Sequence, residues 1–196
     1  DTVIDVCAAP GGKSLHMAEL LKGTGHVEAR DLTDYKVNLI EENIMRSGVT
    51  NMSAVKWDAT ILDEEKIESA DIVIADLPCS GLGVLGKKTD LKYKTSEEIQ
   101  KSLVALQREI LSKVQAYVKP NGTLVYSTCT IHQDENMGNV KWFLENFQEF
   151  ELVSIKDRLC EELQEDVEME GCLQFLPGKH KSDGFFIAKF RKVKHG

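Results

Sequence analysis

The chain has 196 residues, of which 42% are hydrophobic and 29% are charged, enough for one globular domain with a substantial core. Its net charge of −8 argues against a free-standing nucleic-acid binder, because such domains are usually basic. No apolar run is long enough to span a membrane. The five cysteines include no C-x-x-C pair, which argues against a zinc site or a disulfide framework and predicts reduced thiols in a cytosolic protein.

Apolar runs that predict strands alternate along the chain with apolar spacings of three and four that predict helices. This alternation predicts one doubly wound α/β domain. Thr95 and Glu98 form a capping box at the start of the third helix, and Pro120-Asn121-Gly122 is expected to end it. Residues 156–171 are poorly patterned and predict partial helix and loop. The predicted strands are Val3–Ile4, His26–Ala29, Met52–Trp57, Asp71–Ala75, Thr123–Tyr126, Phe150–Ile155 and Asp183–Phe190. The predicted helices are Ser14–Leu21, Lys36–Ser47, the apolar stripe Ile99–Tyr117 and Glu135–Phe147.

The loop Asp5–Ser14 joins the first strand to the first helix and contains two adjacent glycines. A strand, a glycine turn and a helix hold nucleotide-type ligands at the carboxyl end of a parallel strand, because glycine lets the backbone approach and the helix start offers free N–H groups. A phosphate-binding P-loop needs glycine at position 7, which is Cys7, and Pro10 removes an N–H group. The dinucleotide fingerprint G-x-G-x-x-G is absent as well. The loop therefore favours a ligand with a nucleoside but no phosphate chain, with an ordinary βα turn as the other interpretation.

Two acidic residues follow the next two strands. Asp31 lies 19 residues after Gly12, a distance at which an acid commonly binds ribose hydroxyls in a βαβ nucleoside site. Asp58 ends the third strand, where its carboxylate is a candidate acceptor for the exocyclic amine of adenine. The other interpretations are a turn or helix-cap role for Asp31 and an ordinary surface position for Asp58.

Two further strand ends carry cysteines. The buried fourth strand leads into Asp76-Leu77-Pro78-Cys79-Ser80-Gly81, and the fifth leads into Ser127-Thr128-Cys129. Because strands one and four flank the usual crevice of an open α/β sheet, the fourth-strand loop is expected to face the first loop. We expect both cysteines to border one crevice.

Positive charge is concentrated locally in spite of the acidic total. A basic face can hold RNA on an acidic domain, although such clusters are more often solvated surface. One cluster contains Lys87, Lys88, Lys92 and Lys94, a second contains Lys179, His180 and Lys181, and the tail adds Arg191, Lys192 and Lys194.

These motifs together resemble the Nop/Sun family of RNA cytosine-C5 methyltransferases, which use S-adenosylmethionine. The loop Cys-Ala-Ala-Pro-Gly-Gly-Lys is highly specific, and the Pro-Cys and Thr-Cys pairs at strand ends strengthen the match. The chain is most similar to the bacterial Sun-type enzymes that methylate small-subunit ribosomal RNA. It departs from the family's pattern at Thr130, where Ser or Tyr is frequent, a difference expected to matter little. The matching pieces are Asp5–Lys13, Asp31, Asp58, Asp76–Gly81, Ser127–Cys129 and Asp183–Ala188.

The resemblance implies a Rossmann-like S-adenosylmethionine-dependent methyltransferase fold with a mostly parallel seven-stranded sheet whose last strand is antiparallel. It implies that residues 1–196 are the catalytic domain of a longer cytoplasmic protein, cut off from its N-terminal RNA-binding part. The implied substrate is RNA, most simply ribosomal RNA, and no metal or membrane is implied. Cys129 and Cys79 are the implied catalytic residues, and Asp76 is also a candidate for contact with the target base. The implied cofactor-binding residues are Cys7, Ala8, Ala9, Pro10, Gly11, Gly12, Lys13, Asp31, Asp58 and Asp76.

The proposed reaction needs a thiol for a reason independent of the resemblance. Cytosine C5 is a poor nucleophile until a thiolate adds at C6, and cysteine is the side chain best suited to this covalent catalysis. A free thiol has a pKa of about 8.5 and is little ionised at neutral pH, so the site must lower that value. The residues alone do not say which cysteine attacks. The resemblance assigns attack to Cys129 and product release to Cys79.

Other methyltransferase classes and a non-enzyme are the alternatives. The substrate could be tRNA or DNA cytosine instead of ribosomal RNA. Enzymes that methylate amino groups usually carry Asp/Asn-Pro-Pro and an aromatic residue where this chain has Asp76-Leu77-Pro78-Cys79. DNA enzymes attack from the Pro-Cys thiol and have no need of Thr128-Cys129. A degenerate fold used only for binding would be expected to lose Cys129 or the loop glycines.

Overall fold

The computed structural model describes residues 1–84 and 96–193. The chain divides into two compact units, one formed by residues 1–76 and 110–124 and the other by residues 77–109 and 125–196. The predicted basic segment from Lys87 to Lys94, the predicted capping residue Thr95 and the tail residue Lys194 lie outside the described residues.

The first unit is built on parallel strands in the order β3-β2-β1-β4. Strands of this kind are covered on both faces, so they are rich in buried apolar side chains. Val3 of β1 and Val27 of β2 are fully buried, and Ile40 packs against them from the second helix. The elements are β1 (Thr2–Asp5), α1 (Gly12–Leu20), β2 (His26–Asp31), α2 (Asp34–Ser47), β3 (Met52–Lys56) and β4 (Ala70–Asp76).

Local signals explain where α2 begins and ends. The side chain of Thr33 accepts a hydrogen bond from the backbone N–H of Lys36 at 3.3 Å, which satisfies one of the free donors of the first turn. At the other end Gly48 takes the left-handed conformation with φ 71° and donates to the carbonyl of Ile44.

Two elements pass from one unit into the other, namely α3 (Glu97–Val114) and β5 (Val118–Thr128). The second unit continues with α4 (Met137–Asn146), β6 (Phe150–Leu152), α5 (Glu161–Gln164), β7 (Cys172–Phe175) and β8 (Phe185–Lys192). Strand β8 lies between β5 and β6 in the strand order, and both β6 and β7 pair with it antiparallel. The ring of Phe143 on α4 is fully buried and packs against Phe147, Phe150 and Phe190.

The structure corrects two details of the predicted elements. The described residues form eight strands and not the seven predicted, because Cys172–Phe175 adds a short strand on β8. Helix α3 ends at Val114, before Pro120-Asn121-Gly122, and those three residues lie inside β5. The apolar stripe continues to Tyr117 through a short 3₁₀ turn, since Tyr117 is buried and its hydroxyl accepts the N–H of Asp63.

Two other observations complete the fold. The Ser96 hydroxyl accepts the N–H of Ile99 at the start of α3. Within the described ranges, no helix is both long and apolar enough to cross a membrane.

Candidate active site

The loop after β1 and the end of β4 surround a cleft of about 320 Å³ in the first unit. Seven of the ten predicted cofactor residues line it, and Gly11, Asp31 and Asp58 are not among its lining residues. Asp5 also lines the cleft, although the sequence analysis assigned it no role. The seven predicted residues are Cys7, Ala8, Ala9, Pro10, Gly12, Lys13 and Asp76.

Glycine is required at position 11 by the backbone. Gly11 is the N-cap of α1 and has φ 106°, a conformation that other residues adopt only with strain. Its N–H donates to the carbonyl of Ala8 at 2.6 Å, which closes the turn. Helix α1 can therefore begin at Gly12, where an added Cβ would meet no atom within 4 Å. The loop and the first turn of the helix leave space at the wall of the cleft.

Asp5 is a buried carboxyl group at the wall of the cleft. Its side chain is 1% exposed, and its Oδ2 accepts the hydroxyl of Ser14 at 2.7 Å. Among the described residues its Oδ1 has no hydrogen-bond partner. Burial, opposed by the Ser14 hydrogen bond, raises the pKa of Asp5 from 3.8 to about 6. A buried carboxylate oxygen at the wall of a cleft fits a ligand that supplies a cationic N–H group, as the amino group of S-adenosylmethionine does.

Lys13 and Asp76 form an ion pair at the same cleft. The Lys13 Nζ lies 2.6 Å from the Asp76 Oδ2, and the side chains are 49% and 27% exposed. Partly exposed pairs of this kind contribute little to folding stability. The Lys13–Asp76 ion pair is therefore of interest because it lines the cleft and not because it stabilises the fold.

Asp31 is adjacent to the loop but is already engaged. Its Oδ2 accepts the N–H of Ala9 at 3.0 Å, while its Oδ1 accepts the N–H of Leu32 at 2.8 Å and lies 3.2 Å from the Lys36 Nζ. The side chain is 4% exposed. Asp31 therefore braces the loop, and a ribose hydroxyl would have to share its oxygens with these donors.

Asp58 makes local turn contacts, where the alternative expected for it was an ordinary surface position. Its Oδ1 accepts both the hydroxyl and the N–H of Thr60, at 2.7 and 2.9 Å, and these hydrogen bonds lower the pKa of Asp58. Its role toward adenine stays a prediction.

Cys7 lines the cleft with a thiol whose pKa is raised. Burial, assisted by the neighbouring carboxylate of Asp31, raises the pKa of Cys7 to about 12. The side chain therefore stays protonated near neutral pH and serves as part of the cleft wall.

In the second unit the structure brings together the two cysteines that the sequence predicts to be catalytic. They lie 50 residues apart in the chain, yet Cys79 Sγ lies 3.1 Å from Cys129 Sγ. The N–H of Cys129 also donates to the Cys79 sulfur at 3.3 Å. Both side chains are partly exposed. The hydrogen bond to Cys129, followed by burial, raises the pKa of Cys79 well above its usual range.

Backbone hydrogen bonds link Cys129 to Gly83 and Gly83 to Gly184. This contact explains why glycine follows Asp183 in the sequence. The N–H of Gly83 donates to the Cys129 carbonyl at 3.1 Å, and the N–H of Gly184 donates to the Gly83 carbonyl at 2.7 Å. A Cβ on Gly83 would lie 2.1 Å from the Gly184 carbonyl oxygen. Only glycine at both positions allows this approach.

Comparisons with known proteins show the family of this chain. Residues 1–191 match the family model described as 16S rRNA methyltransferase RsmB/F. A probable ribosomal RNA small subunit methyltransferase B of Bacillus subtilis (strain 168) is 42% identical over 194 residues, which are 98% of this chain and 43% of that protein. A tRNA (cytosine(72)-C(5))-methyltransferase of Pyrococcus horikoshii is 38% identical over 194 residues, which are 99% of this chain and 48% of that protein. The chain thus spans less than half the length of these relatives.

A solved structure shows the same relationship. The crystal structure of NSun6 from Pyrococcus horikoshii with SFG has a TM-score of 0.86 and 36% identity to this chain, and the match covers 100% of this chain and 48% of that one. The predicted α/β methyltransferase fold, with parallel strands first and antiparallel pairs near the end, is confirmed. The chain belongs to the 16S rRNA methyltransferase RsmB/F family, as its resemblance to the Sun-type enzymes predicted.

Proposed function

We propose that this chain is the catalytic part of an enzyme that transfers a methyl group from S-adenosylmethionine to C5 of a cytosine in RNA. The observation that carries the proposal is the pair of thiols at 3.1 Å, Cys79 and Cys129, each just past a strand end. Small-subunit ribosomal RNA is the proposed substrate, and the Bacillus relative supports it. The tRNA methyltransferase of Pyrococcus supports tRNA as the second candidate.

The cleft in the first unit is the proposed cofactor site. S-adenosylmethionine supplies an activated methyl group on a sulfonium sulfur. The free Oδ1 of Asp5 would accept its amino group, while Gly12 leaves the wall open. The relative NSun6, whose structure contains SFG, supports a ligand of this class. Asp31 and Asp58 are proposed to hold the nucleoside, with Asp31 sharing the contacts that it makes to the loop.

The two thiols are proposed to divide the chemistry. The Cys129 sulfur would form a bond to cytosine C6, which makes C5 nucleophilic and able to accept the methyl group. Loss of the C5 proton and cleavage of the bond between carbon and sulfur would then restore the ring and the thiolate. The hydrogen bond to Cys129 raises the pKa of Cys79, and the part of Cys79 in release is proposed from the family resemblance. Asp76 is proposed to bond the amino edge of the cytosine.

Substitution of each cysteine tests the assignment. Cys129→Ala should abolish both methylation and covalent attachment to RNA, with cofactor binding retained. Cys79→Ala should attack and methylate once, then stall as a covalent complex with RNA. Denaturing gel electrophoresis with labelled RNA, on the chain in its longer natural context, would show which variant is trapped. An adduct in Cys129→Ala and none in Cys79→Ala would reverse the roles.

The substrate requires a separate experiment. Bisulfite sequencing of RNA from cells that lack the gene should show the loss of one or more 5-methylcytosines in small-subunit ribosomal RNA. Loss confined to tRNA would replace the first candidate with the second. Unchanged cytosine methylation in both RNAs would contradict the proposed function.

A further inference from the structure

A fully buried carboxylate holds the residue that follows Cys79. Glu135 is 0% exposed, and its oxygens accept three hydrogen bonds in the second unit. The donors are the backbone N–H of Ser80 at 2.9 Å, the hydroxyl of Ser80 at 2.6 Å and the Nε2 of Gln107 at 2.9 Å. The same Nε2 also donates to the carbonyl of Pro78 at 2.9 Å. Glu135 thereby holds the backbone on both sides of Cys79.

The hydrogen bonds around Ser80 have a fixed direction. A carboxylate only accepts, so the single hydroxyl proton of Ser80 is donated to Glu135. The Ser80 oxygen lies 2.8 Å from the Thr130 hydroxyl, and Thr130 must be the donor there. The Thr130 oxygen in turn accepts the N–H of His132 at 3.1 Å. One directed chain therefore joins the residue after Cys79 to the residue after Cys129.

Asn136 holds the other cysteine in the same manner. Its Oδ1 accepts the Thr128 hydroxyl at 2.5 Å, and its Nδ2 donates to the carbonyl of Thr130 at 2.9 Å. These two threonines flank Cys129 in the sequence. Asn136 is 1% exposed, and both threonines are fully buried. Two consecutive residues thus reach the backbone of both cysteine loops.

We propose that Glu135 and Asn136 form a clamp that sets the distance between the Cys79 and Cys129 sulfurs. Glu135 fixes the first loop, Asn136 fixes the second, and the hydroxyls of Ser80 and Thr130 tie the loops to each other. The inference rests on the proposed function for its purpose, because attack and release by two thiols require both at one cytosine. Glu135 and Asn136 are positioning residues, since their hydrogen bonds hold the residues that flank the two cysteines.

The composition of the clamp favours positioning over a purely stabilising role. A buried carboxylate is costly to desolvate, and apolar residues of similar volume often stabilise a core at least as well. Among the described residues, the three hydrogen bonds to the side chain of Glu135 come from Ser80 and Gln107, which fix the Cys79 loop, and the His132 Nδ1 lies 3.7 Å from its Oε2. The backbone carbonyl of Glu135 is itself held by the hydroxyl of Tyr126 and by the Nδ2 of Asn139. The carboxylate is therefore a fixed anchor for that loop.

A reagent that bridges two neighbouring thiols tests the clamp in the absence of RNA. Phenylarsine oxide joins two neighbouring thiols through one arsenic atom, forming two arsenic–sulfur bonds and releasing its oxygen, with both thiol protons, as one water. The probe is added to the folded chain in the absence of cofactor, and mass spectrometry of proteolytic peptides follows the bridge between Cys79 and Cys129. The rate reports on how often the sulfurs are correctly spaced.

We expect Glu135→Gln to bridge about tenfold more slowly or worse, because small displacements of paired reactive groups have large effects on rate. The amide cannot accept from both Ser80 donors, so the directed chain breaks. Two control variants lie on α4. Glu145→Gln removes an exposed carboxylate, and Val140→Ala removes buried methyl groups. Both should bridge within about twofold of the wild-type rate. Bridging by Glu135→Gln at that rate would overturn the proposal.

A second pair of variants covers the case in which Glu135→Gln does not fold. Thr130→Val removes the hydroxyl with little change of shape and should slow bridging, whereas Thr130→Ser keeps the hydroxyl and should restore it. Equal rates for these two variants would also overturn the proposal. In the methylation assay the same slow variants should lose kcat with little change in KM. A chain that methylates no RNA but shows these bridging rates would refute the proposed function and leave the clamp standing.

Discussion

Replacement of Asp5 by Asn should make the protein more stable and weaken its binding of the cofactor. The folded chain raises the pKa of Asp5 from 3.8 to about 6. The unfolded chain therefore releases this proton at lower pH than the folded chain does. The free energy of unfolding should fall as pH rises from about 4 to about 6, and should change little above that range on account of this group.

The size of the effect follows from the shift. A difference of about two pKa units at about 1.4 kcal/mol each corresponds to roughly 3 kcal/mol of instability from the ionised carboxylate at pH 7. Asn keeps an oxygen for the Ser14 hydroxyl but places a buried amide N–H group at Oδ1, which has no partner among the described residues, and this costs about 1 kcal/mol or more. Asp5→Asn should therefore unfold with a free energy about 2 kcal/mol above wild type at pH 7, and the advantage should vanish near pH 4.

Cofactor binding should change in the opposite sense. A hydrogen bond that involves a charged group contributes about 1.5–3 kcal/mol, so loss of the carboxylate should weaken S-adenosylhomocysteine by about tenfold to a hundredfold at pH 7. Calorimetric titration measures the affinity, and denaturant unfolding followed by circular dichroism from pH 4 to 8 measures the stability. Asp58→Asn is the control for the stability measurement. Because the pKa of Asp58 is lowered in the folded chain, its replacement should reduce the free energy of unfolding at neutral pH. An Asp5→Asn protein less stable than wild type at pH 7, or with the same pH slope, would refute the reasoning.

Three further predictions concern the loop, the glycine contact and RNA. Asp31→Ala should weaken the binding of S-adenosylhomocysteine by about 1–3 kcal/mol, since it leaves the donors of the loop unpaired. Calorimetry should detect no binding of ATP to the wild-type chain. Binding of ATP but not of S-adenosylhomocysteine would contradict the proposed cofactor site. Gly184→Ala should destabilise the chain by about 1–3 kcal/mol in denaturant unfolding, because the new Cβ would lie 2.6 Å from the Gly83 Cα; an unchanged midpoint would exclude the contact. Replacement of Lys87 and Lys88 by Glu should reduce RNA affinity and flatten its salt dependence in filter binding; tight, salt-insensitive binding by the unaltered chain would argue against this basic segment.

Sequence periodicity predicted most elements because their interiors are strongly patterned. Strand β4 is Ala70–Asp76 against a predicted Asp71–Ala75, and α2 is Asp34–Ser47 against a predicted Lys36–Ser47. Residues far apart in sequence met as expected where both lie just past strand ends. Cys79 and Cys129 are the clear example, since each lies just past the end of a strand and their sulfurs are 3.1 Å apart.

Other features could not be predicted from the sequence because they depend on burial and on contacts between residues that are distant in the chain. Strand β7 is only four residues long and lies close to Pro177 and Gly178, so it has no distinct period. Asp5 looks like any acid before a loop until its environment shows one oxygen paired with Ser14 and the other without a donor. From the sequence, Glu135 was predicted only as the start of a helix, whereas in the structure it is completely buried.

Thr130 illustrates how a site tolerates change in one property and not in another. The resemblance predicts that Thr in place of Ser or Tyr matters little, and for Ser the hydrogen-bond chain is consistent with that prediction. Both residues carry a hydroxyl on Cβ, which can donate to Ser80 and accept from His132 as the Thr130 hydroxyl does. The hydroxyl of a tyrosine lies at the far end of a ring, so Tyr at this position would not place a hydroxyl beside both Ser80 and the N–H of His132. In the proposed clamp, the reaction requires the two thiols themselves. The hydrogen-bond chain requires that the residue after each cysteine carry its hydroxyl on Cβ.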